Sequence, residues 1–358
     1  MNNRHVVVAG CGNTGSHLLP HLARMASISR ITLVDPDCYE PANLAVQNID
    51  RTDVGRPKVE AQAEKLRRIR PSLGASGLDV IALQDRIENL PRGLLMSDLI
   101  VSCLDSRSSR QRVNEIAWRL NTPLADCGVL GSQKLARVDV YVPSPEGNCV
   151  ECNWSHEDYS QIEQQYLCGA GSGAAFPTMA SSALGALAAS LMSIEIAKIL
   201  DGKRGEPVAA RQVIVGAEHH FAQLSTSKRN PNCRFDHRSW FVEPWDCQPE
   251  TMTVGEAIDA LGSLQIEGHL WVAEMVCAGC GRRGEKQLRL NRPLARCPAC
   301  NRRMASSGFG SLERLDRRFA GEFASLTLAQ AGLRAGDIVS GGGQHHRIHH
   351  RMLQLEAA

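Results

Sequence analysis

A six-residue run, Gly10-Cys11-Gly12-Asn13-Thr14-Gly15, limits what this chain can fold into more than any other part of it. It follows a short unbroken apolar stretch, His5-Val6-Val7-Val8-Ala9, and precedes a helix-like apolar stretch reaching about Met25. Such a continuous apolar run suits a parallel strand buried on both faces. Glycine lets the backbone turn tightly and approach a phosphate, and the helix that follows offers unpaired N–H groups and a positive dipole end. Asp35 ends a second strand, Ile31 to Val34, twenty residues past Gly15, where a carboxylate can accept ribose hydroxyls. The expected fold class is α/β, a doubly wound, mostly parallel sheet of Rossmann type. On this motif alone an NAD-dependent oxidoreductase is favoured over an ATP enzyme.

The alternation continues. Lys58 to Arg70 has helical periodicity, Leu99 to Cys103 reads as another buried strand, and Arg110 to Asn121 as another helix. A strand from about Ala136, a long helix over Thr178 to Leu200 and a strand over Arg211 to Val215 complete the section. With 358 residues the chain is too long for one ordinary core. The pattern predicts a doubly wound α/β domain over 1–240, a smaller domain over 241–340 with a Cys-rich ribbon at about 275–305, and a mobile Gly- and His-rich tail over 341–358. The apolar share of 43% excludes a mainly disordered chain, and a net charge of +2 excludes a global pull toward nucleic acid or anionic membrane. The chain enters a strand at once, so no secretory leader is expected. Ala174 to Ile194 is long and uncharged but rich in Ala and Ser and broken by Pro177, which predicts a buried helix rather than a membrane span. A cytoplasmic protein is expected.

The residues beyond Asp35 tip the balance toward ATP. Asp37, Asn43 and Gln47 lie in a polar stretch that leads to Gly55-Arg56-Pro57-Lys58. Cleaving a triphosphate calls for cations and amide donors at the developing charge; a dehydrogenase needs no such loop. Asp105, in Cys103-Leu104-Asp105-Ser106, follows a strand's C-terminal end beside the crevice of such sheets. A carboxylate there suits Mg²⁺, which takes one or two carboxylates plus phosphate oxygens. Arg110 and Asn114 stand four apart on the next helix.

In this order the residues resemble the ubiquitin-activating superfamily, which includes bacterial adenylyltransferases that activate sulfur-carrier proteins for molybdopterin and thiamine synthesis. The matches are Gly10, Gly12, Gly15, Asp35, Asp37, Asn43, Gln47, Lys58 and Asp105, and the resemblance covers about residues 5–237. It implies that Asn13 and the glycines cradle ATP, that Asp35 holds the ribose, that Asn43 and Lys58 contact the triphosphate, and that Asp105 binds Mg²⁺. Catalysis is expected from Lys58, Asp105 and Cys168. Val46 stands where the family has arginine, and Arg51 or Arg56 is the candidate substitute. The resemblance also implies a homodimer, and from charge and composition neither a nucleic-acid nor a membrane partner is expected.

Thirteen cysteines without a secretory route point to metal or redox chemistry rather than disulfides. Cys277, Cys280, Cys297 and Cys300 form two Cys-x2-Cys pairs with small and turn residues inside them, the pattern of a zinc ribbon. Cys149 and Cys152, with Cys233 and His237 far along the chain, give a second zinc set, for which free buried thiols are the alternative. The superfamily resemblance implies that long separation and the Asn-Pro-x-Cys segment at Asn230 to Cys233. Both sites read as structural Zn²⁺. Arg282, Arg283, Lys286, Arg289, Arg292, Arg296, Arg302 and Arg303 make the ribbon basic, either a solvated face or a dock for an acidic protein.

Cys168 precedes a Gly-rich turn, a position that the resemblance implies for a thioester or persulfide nucleophile. Thr327 to Asp337 resembles the closing turn of ubiquitin-like folds, so the last domain is expected to recruit a conjugating enzyme. The function expected first is ATP-dependent adenylation of a ubiquitin-like or sulfur-carrier protein, with thioester transfer onward. Sulfur-carrier activation for cofactor biosynthesis, a tRNA-modifying adenylating enzyme, the oxidoreductase and a catalytically weak zinc-binding scaffold are the alternatives.

Overall fold

The structure is a computed structural model that describes residues 3–71, 77–167, 180–202, 209–284, 288–290, 296–302, 304–306, 311–342 and 348–355. Cys168, Lys286, Arg292 and Arg303 lie outside the described residues. The chain divides into two compact units, Met1–Glu88 with Leu95–Ser239, and Asn89–Leu94 with Trp240–Ala358.

The first unit is built on strands β1 (Arg4–Ala9), β2 (Ile28–Val34), β3 (Asp79–Leu83), β4 (Leu99–Ser102), β5 (Leu124–Leu130), β6 (Leu135–Tyr141), β7 (Arg211–Gly216) and β8 (Phe221–Thr226). Its helices are α1 (Asn13–Ala23), α2 (Lys58–Ile69), α3 (Arg107–Arg119), α4 (His156–Leu167) and α5 (Ser182–Leu200). The sheet order is β3-β2-β1-β4-β5-β6-β7-β8. The five strands from β3 to β5 run parallel, and β6, β7 and β8 are added antiparallel. Strand order reverses between β1 and β4, so the crevice for a ligand opens beyond their C-terminal ends.

The apolar runs fill the core as their continuity requires. Val6, Val8, Ile31, Leu33, Leu99 and Val101 are buried with Leu18, Leu22 and Leu66 from the helices. α5 is a described helix long and apolar enough to cross a membrane; half of that span is buried, and it packs on α1, β5 and β6. Ser181 caps it, accepting the Leu184 N–H at 3.2 Å.

One patch of this unit is charged and buried. Asp126 and Asp139 face each other on β5 and β6, and the Arg137 guanidinium bonds to both, at 2.9 and 2.8 Å. Burial pushes the Asp139 carboxyl up to about 6, against the pull of Arg137. A carboxyl with a folded pKa above its unfolded one favours folding below the unfolded pKa, and that contribution is lost as pH rises through the folded value. Raising pH from about 4 to about 7 should therefore lower wild-type stability relative to Asp139→Asn by on the order of 2 kcal/mol, read as denaturation midpoints at each pH. Parallel curves for the two proteins would refute it.

The second unit has a five-stranded sheet ordered Arg314–Leu315, Leu264–Gln265, Ile338–Gly341, His349–Leu353, Val242–Trp245, with helix Val254–Leu261 in the same core. The sequence reading needs two corrections here. Residues 341–358 were expected to be a mobile tail, but His349–Leu353 is a strand, antiparallel to Ile338–Gly341 and parallel to Val242–Trp245. His349 is exposed, His350 to Met352 are half-buried and Leu353 is fully buried in the core; local Gly and His content hid that role. In consequence, the strand after the Thr327–Asp337 turn does not close the sheet.

The other correction is an insertion. Residues 89–94, between β3 and β4 in sequence, belong to this unit. Gly93 N–H donates to the Gly336 carbonyl at 2.8 Å, so tightly that a Cβ on Gly93 would lie 2.5 Å from that oxygen. Arg92 pairs with Glu267 at 2.6 Å and lies over the Trp240 ring.

Candidate active site and metal centres

The three glycines of the turn do different things. Gly10 has φ +99°, and a Cβ there would sit 2.7 Å from the Cys103 carbonyl oxygen at the end of β4. A Cβ on Gly15 would meet the Gly10 oxygen at 2.0 Å, so this glycine lets α1 close onto the turn. Around Gly12 there is open space, with Gln47 Nε2 the nearest atom at 4.0 Å from a Cβ position. That is where a phosphate can approach backbone N–H groups at the start of α1.

Asp35 is buried at the end of β2. Its Oδ2 accepts the Cys11 N–H at 2.7 Å and its Oδ1 the Asp37 N–H at 3.0 Å. Burial pushes its pKa up, and the nearby Lys58 ammonium opposes the shift. The chain after Asp35 is zipped to the segment before α2: Tyr39 N–H bonds Arg56 O and Lys58 N–H bonds Asp37 O, both at 2.9 Å. That pairing sets Lys58 Nζ 3.1 Å from Asp37 Oδ2, with the lysine side chain 11% exposed and the aspartate 62%. Arg56 is paired with Glu64 at 2.8 Å, both side chains being exposed, and Arg51 is exposed as well.

Gln47 projects toward Gly12, and its Oε1 is buried without a hydrogen-bond partner. Asn43 Oδ1 accepts the Glu40 N–H at 2.8 Å, closing its own short turn. Asn13 points instead at α5: its Nδ2 donates to Ser181 O at 3.3 Å, and a Cβ on Gly185 would clash with it. Asp105 is exposed three residues past β4 and has no protein partner among the described residues. Arg110 holds its loop, donating from Nε to Leu104 O at 3.0 Å and from Nη2 to Cys127 O at 3.1 Å. Asn114, one turn on, accepts the Val150 N–H at 3.2 Å and so serves the metal loop. The residues present fit ATP with Mg²⁺. An open glycine, a helix start, a partly screened lysine, an orphaned amide oxygen and an unpaired carboxylate all lie in segments that follow the C-terminal ends of β1, β2 and β4.

Sequence reasoning missed Tyr39 and His17. Tyr39 is buried; its hydroxyl donates to Cys11 O at 2.9 Å and accepts from Gln62 Nε2 at 2.8 Å, bracing the glycine turn from below. Nothing in a local pattern marks a tyrosine whose partners are 28 and 23 residues away.

Both cysteine clusters assemble. A zinc ion bonded to four sulfurs at about 2.3 Å sets neighbouring sulfurs about 3.8 Å apart. Cys277 and Cys300 sulfurs are 3.3 Å apart, Cys280 and Cys297 3.6 Å, and all four ligand atoms lie within 4.8 Å of one another. Each knuckle turns in the same way. Cys277 N–H bonds Arg282 O and Cys297 N–H bonds Arg302 O, both at 2.8 Å. The residue after the second cysteine is left-handed in both, Gly281 at φ +71° and Asn301 at +56°, and glycine and asparagine are the residues that accept this. Amides of Cys280 and Gly279 bring the Cys277 thiol down to about 6, which favours the thiolate a metal needs.

In the first unit, Cys149 lies 3.8 Å from both Cys233 and Cys152, and Cys152 Sγ is 3.2 Å from His237 Nε2. α3 carries the site: Trp118 meets His237 edge-on at 4.9 Å, and Arg119 pairs with Asp236 at 2.7 Å. Each cluster has four protein ligands, the number of a closed structural zinc.

The profile of the ThiF family matches residues 1–235. The sulfur carrier protein ThiS adenylyltransferase of Escherichia coli is 29% identical over 152 residues, 42% of this chain and 57% of that protein. The adenylyltransferase and sulfurtransferase MOCS3 of Mus musculus is 26% identical over 229 residues, 64% and 46% of the two chains. The molybdopterin-synthase adenylyltransferase of Escherichia coli is 25% identical over 236 residues, 65% and 87%. The chain thus spans about half the length of the first two relatives. Crystal structures of E. coli MccB, one of them with ATP, share the fold of 65% of this chain with a TM-score of 0.52 at 24% identity. The glycine turn, Asp35, Lys58 and Cys149, Cys152 and Cys233 all fall within the matched residues, and the chain belongs to the ThiF family.

Proposed function

We propose that this protein uses Mg-ATP to adenylate the C-terminal carboxylate of a ubiquitin-like sulfur-carrier protein, in the service of cofactor biosynthesis. The observation that carries this is Lys58 brought to the Asp35–Asp37 carboxylates beside an open Gly12, with Asp105 at the next strand end. An oxidoreductase has no use for that lysine and aspartate pair. The named relatives act as adenylyltransferases, two of them on a sulfur carrier or for molybdopterin synthase, which favours sulfur-carrier activation over the conjugation expected first.

In this reading Asp35 accepts the ribose hydroxyls, and the amides at Gly12 and the start of α1 take phosphate oxygens. Lys58 leaves Asp37 for the triphosphate. The carrier's carboxylate oxygen attacks the α-phosphorus, forming the acyl-phosphate bond, while the bond to the β-phosphate breaks and its electron pair leaves with pyrophosphate. Asp105 would hold Mg²⁺, which supplies positive charge against the phosphate oxygens when bound. Positioning and charge neutralisation are most of the chemistry. One structural zinc in each cysteine cluster and pairing of two copies belong to the same reading. Phe221 and Leu224, exposed on the edge strand β8, support the pairing.

Onward transfer through Cys168 to a conjugating partner is a second reading. It is favoured by the second unit, whose residues from Trp240 on lie beyond the family match and set the helix Val254–Leu261 on a mixed five-stranded sheet as a ubiquitin-like fold would. The test is exchange of labelled pyrophosphate into ATP with a panel of diglycine-ended carriers. Carrier-dependent exchange is expected; hydride transfer with NAD and no exchange would overturn the proposal. A thiol-sensitive carrier adduct lost in Cys168→Ala would raise the second reading above the first.

A further inference from the structure

α1 presents one face of its first two turns to two other parts of the chain. Asn13 and His17 stand four residues apart, so their side chains leave the same side. Asn13 bonds Ser181 O, and His17 Nε2 lies 3.0 Å from Ser182 Oγ, at the first residue of α5. The ring's other hydrogen-bond partner is the backbone of Val46. Val46 begins a short stretch laid along α1. Gln47 reaches toward Gly12, and Asn48 N–H donates to Ser16 Oγ at 2.9 Å. Asn48 Nδ2 takes the Ser16 carbonyl at 3.4 Å, an oxygen left over because Pro20 has no N–H to offer it.

Burial lowers the pKa of His17, favouring the neutral ring. A neutral ring donates from one nitrogen and accepts at the other. It can give its proton to the Val46 carbonyl and accept the Ser182 hydroxyl, so the two bonds complete each other.

We propose that His17 is a positioning residue for nucleotide binding: it ties residues 46–48, and with them the Gln47 amide over Gly12, to the first turn of α5. The inference rests on the reading of the Gly10–Gly15 turn as a triphosphate site. A histidine that only packs α1 against α5 would affect folding; this one sets the height of the amide above the phosphate turn.

The test is calorimetric titration of the full chain with MgATP. His17→Ala should bind about fivefold more weakly, the size of one net hydrogen bond. His17→Gln should restore affinity to within about twofold, since its amide both donates and accepts. Ser182→Ala should weaken binding by a similar factor, and adding it to His17→Ala should cost nothing more, because the two changes break one link. Ser181, not Ser182, caps α5, so the helix start is untouched. Equal affinity of His17→Ala and wild type, a glutamine variant as weak as the alanine one, or additive losses would overturn the inference while leaving the proposed function standing. A wild-type chain that binds no MgATP would overturn both.

Discussion

Asp105→Ala is expected to lower carrier-dependent ATP–pyrophosphate exchange by about 100- to 1,000-fold, the usual loss when one group that stabilises developing charge is removed. The same change should leave the thermal midpoint where it was. Asp105 is exposed, and no protein group among the described residues depends on it. The pairing of a large kinetic effect with no stability effect is what separates a Mg²⁺ ligand from a loop carboxylate. Asp105→Asn should fall nearly as far, because an amide cannot supply the charge. Exchange within tenfold of wild type in both variants would remove Asp105 from the chemistry and leave the crevice without a metal ligand among its named residues. Arg110→Ala is a useful comparison: it frees the loop from Leu104 and Cys127 carbonyls, so it should lose activity and stability together.

Loss of the ribbon metal is the second large effect. Wild-type protein is expected to carry about two zinc ions per chain, and Cys297→Ser about one. Structural zinc contributes about 10–16 kcal/mol of binding free energy in small zinc-finger peptides. Among its described residues the ribbon has little else. Its small apolar cluster is Val272, Met275, Met304 and two of the cysteines themselves, and its sheet is one short pair, Met275–Cys277 with Met304–Ser306. Cys297→Ser should therefore open residues 275–306 to protease while pyrophosphate exchange by the first unit persists. Full zinc content in the variant, or protection of that stretch without metal, would show that the four thiols pack and do not ligate.

The arrangement of the candidate crevice was largely legible because its signals are local. A glycine turn, a carboxylate after the next strand and a lysine after Gly-x-Pro each sit inside a short window, and the parallel sheet brings strand ends together by construction. Zinc knuckles are readable for the same reason, since a tetrahedral shell needs fixed spacing within each pair. What failed depends on contacts that spacing does not encode. Asn13 sits in the motif but turns to α5 because Gly185 leaves room for it, 172 residues away in sequence. The last strand was hidden by composition: histidines and glycines around it suggested a tail, while Leu353 alone marks the buried end. Antiparallel β7 and β8 were only half visible, because β8 is exposed along most of its length and shows no apolar pattern.

The six residues 89–94 have a consequence for how such a chain comes into being. They leave the ribosome early, well ahead of Glu267 and Gly336, the groups that Arg92 and Gly93 bond. Until those arrive they must wait as an unfinished hook, and a stop codon near 240 would leave the hook with nothing to catch. The C-terminal part is thus not a detachable appendix that evolution could add or drop at one splice, but a second storey whose first peg was driven while the ground floor was still going up.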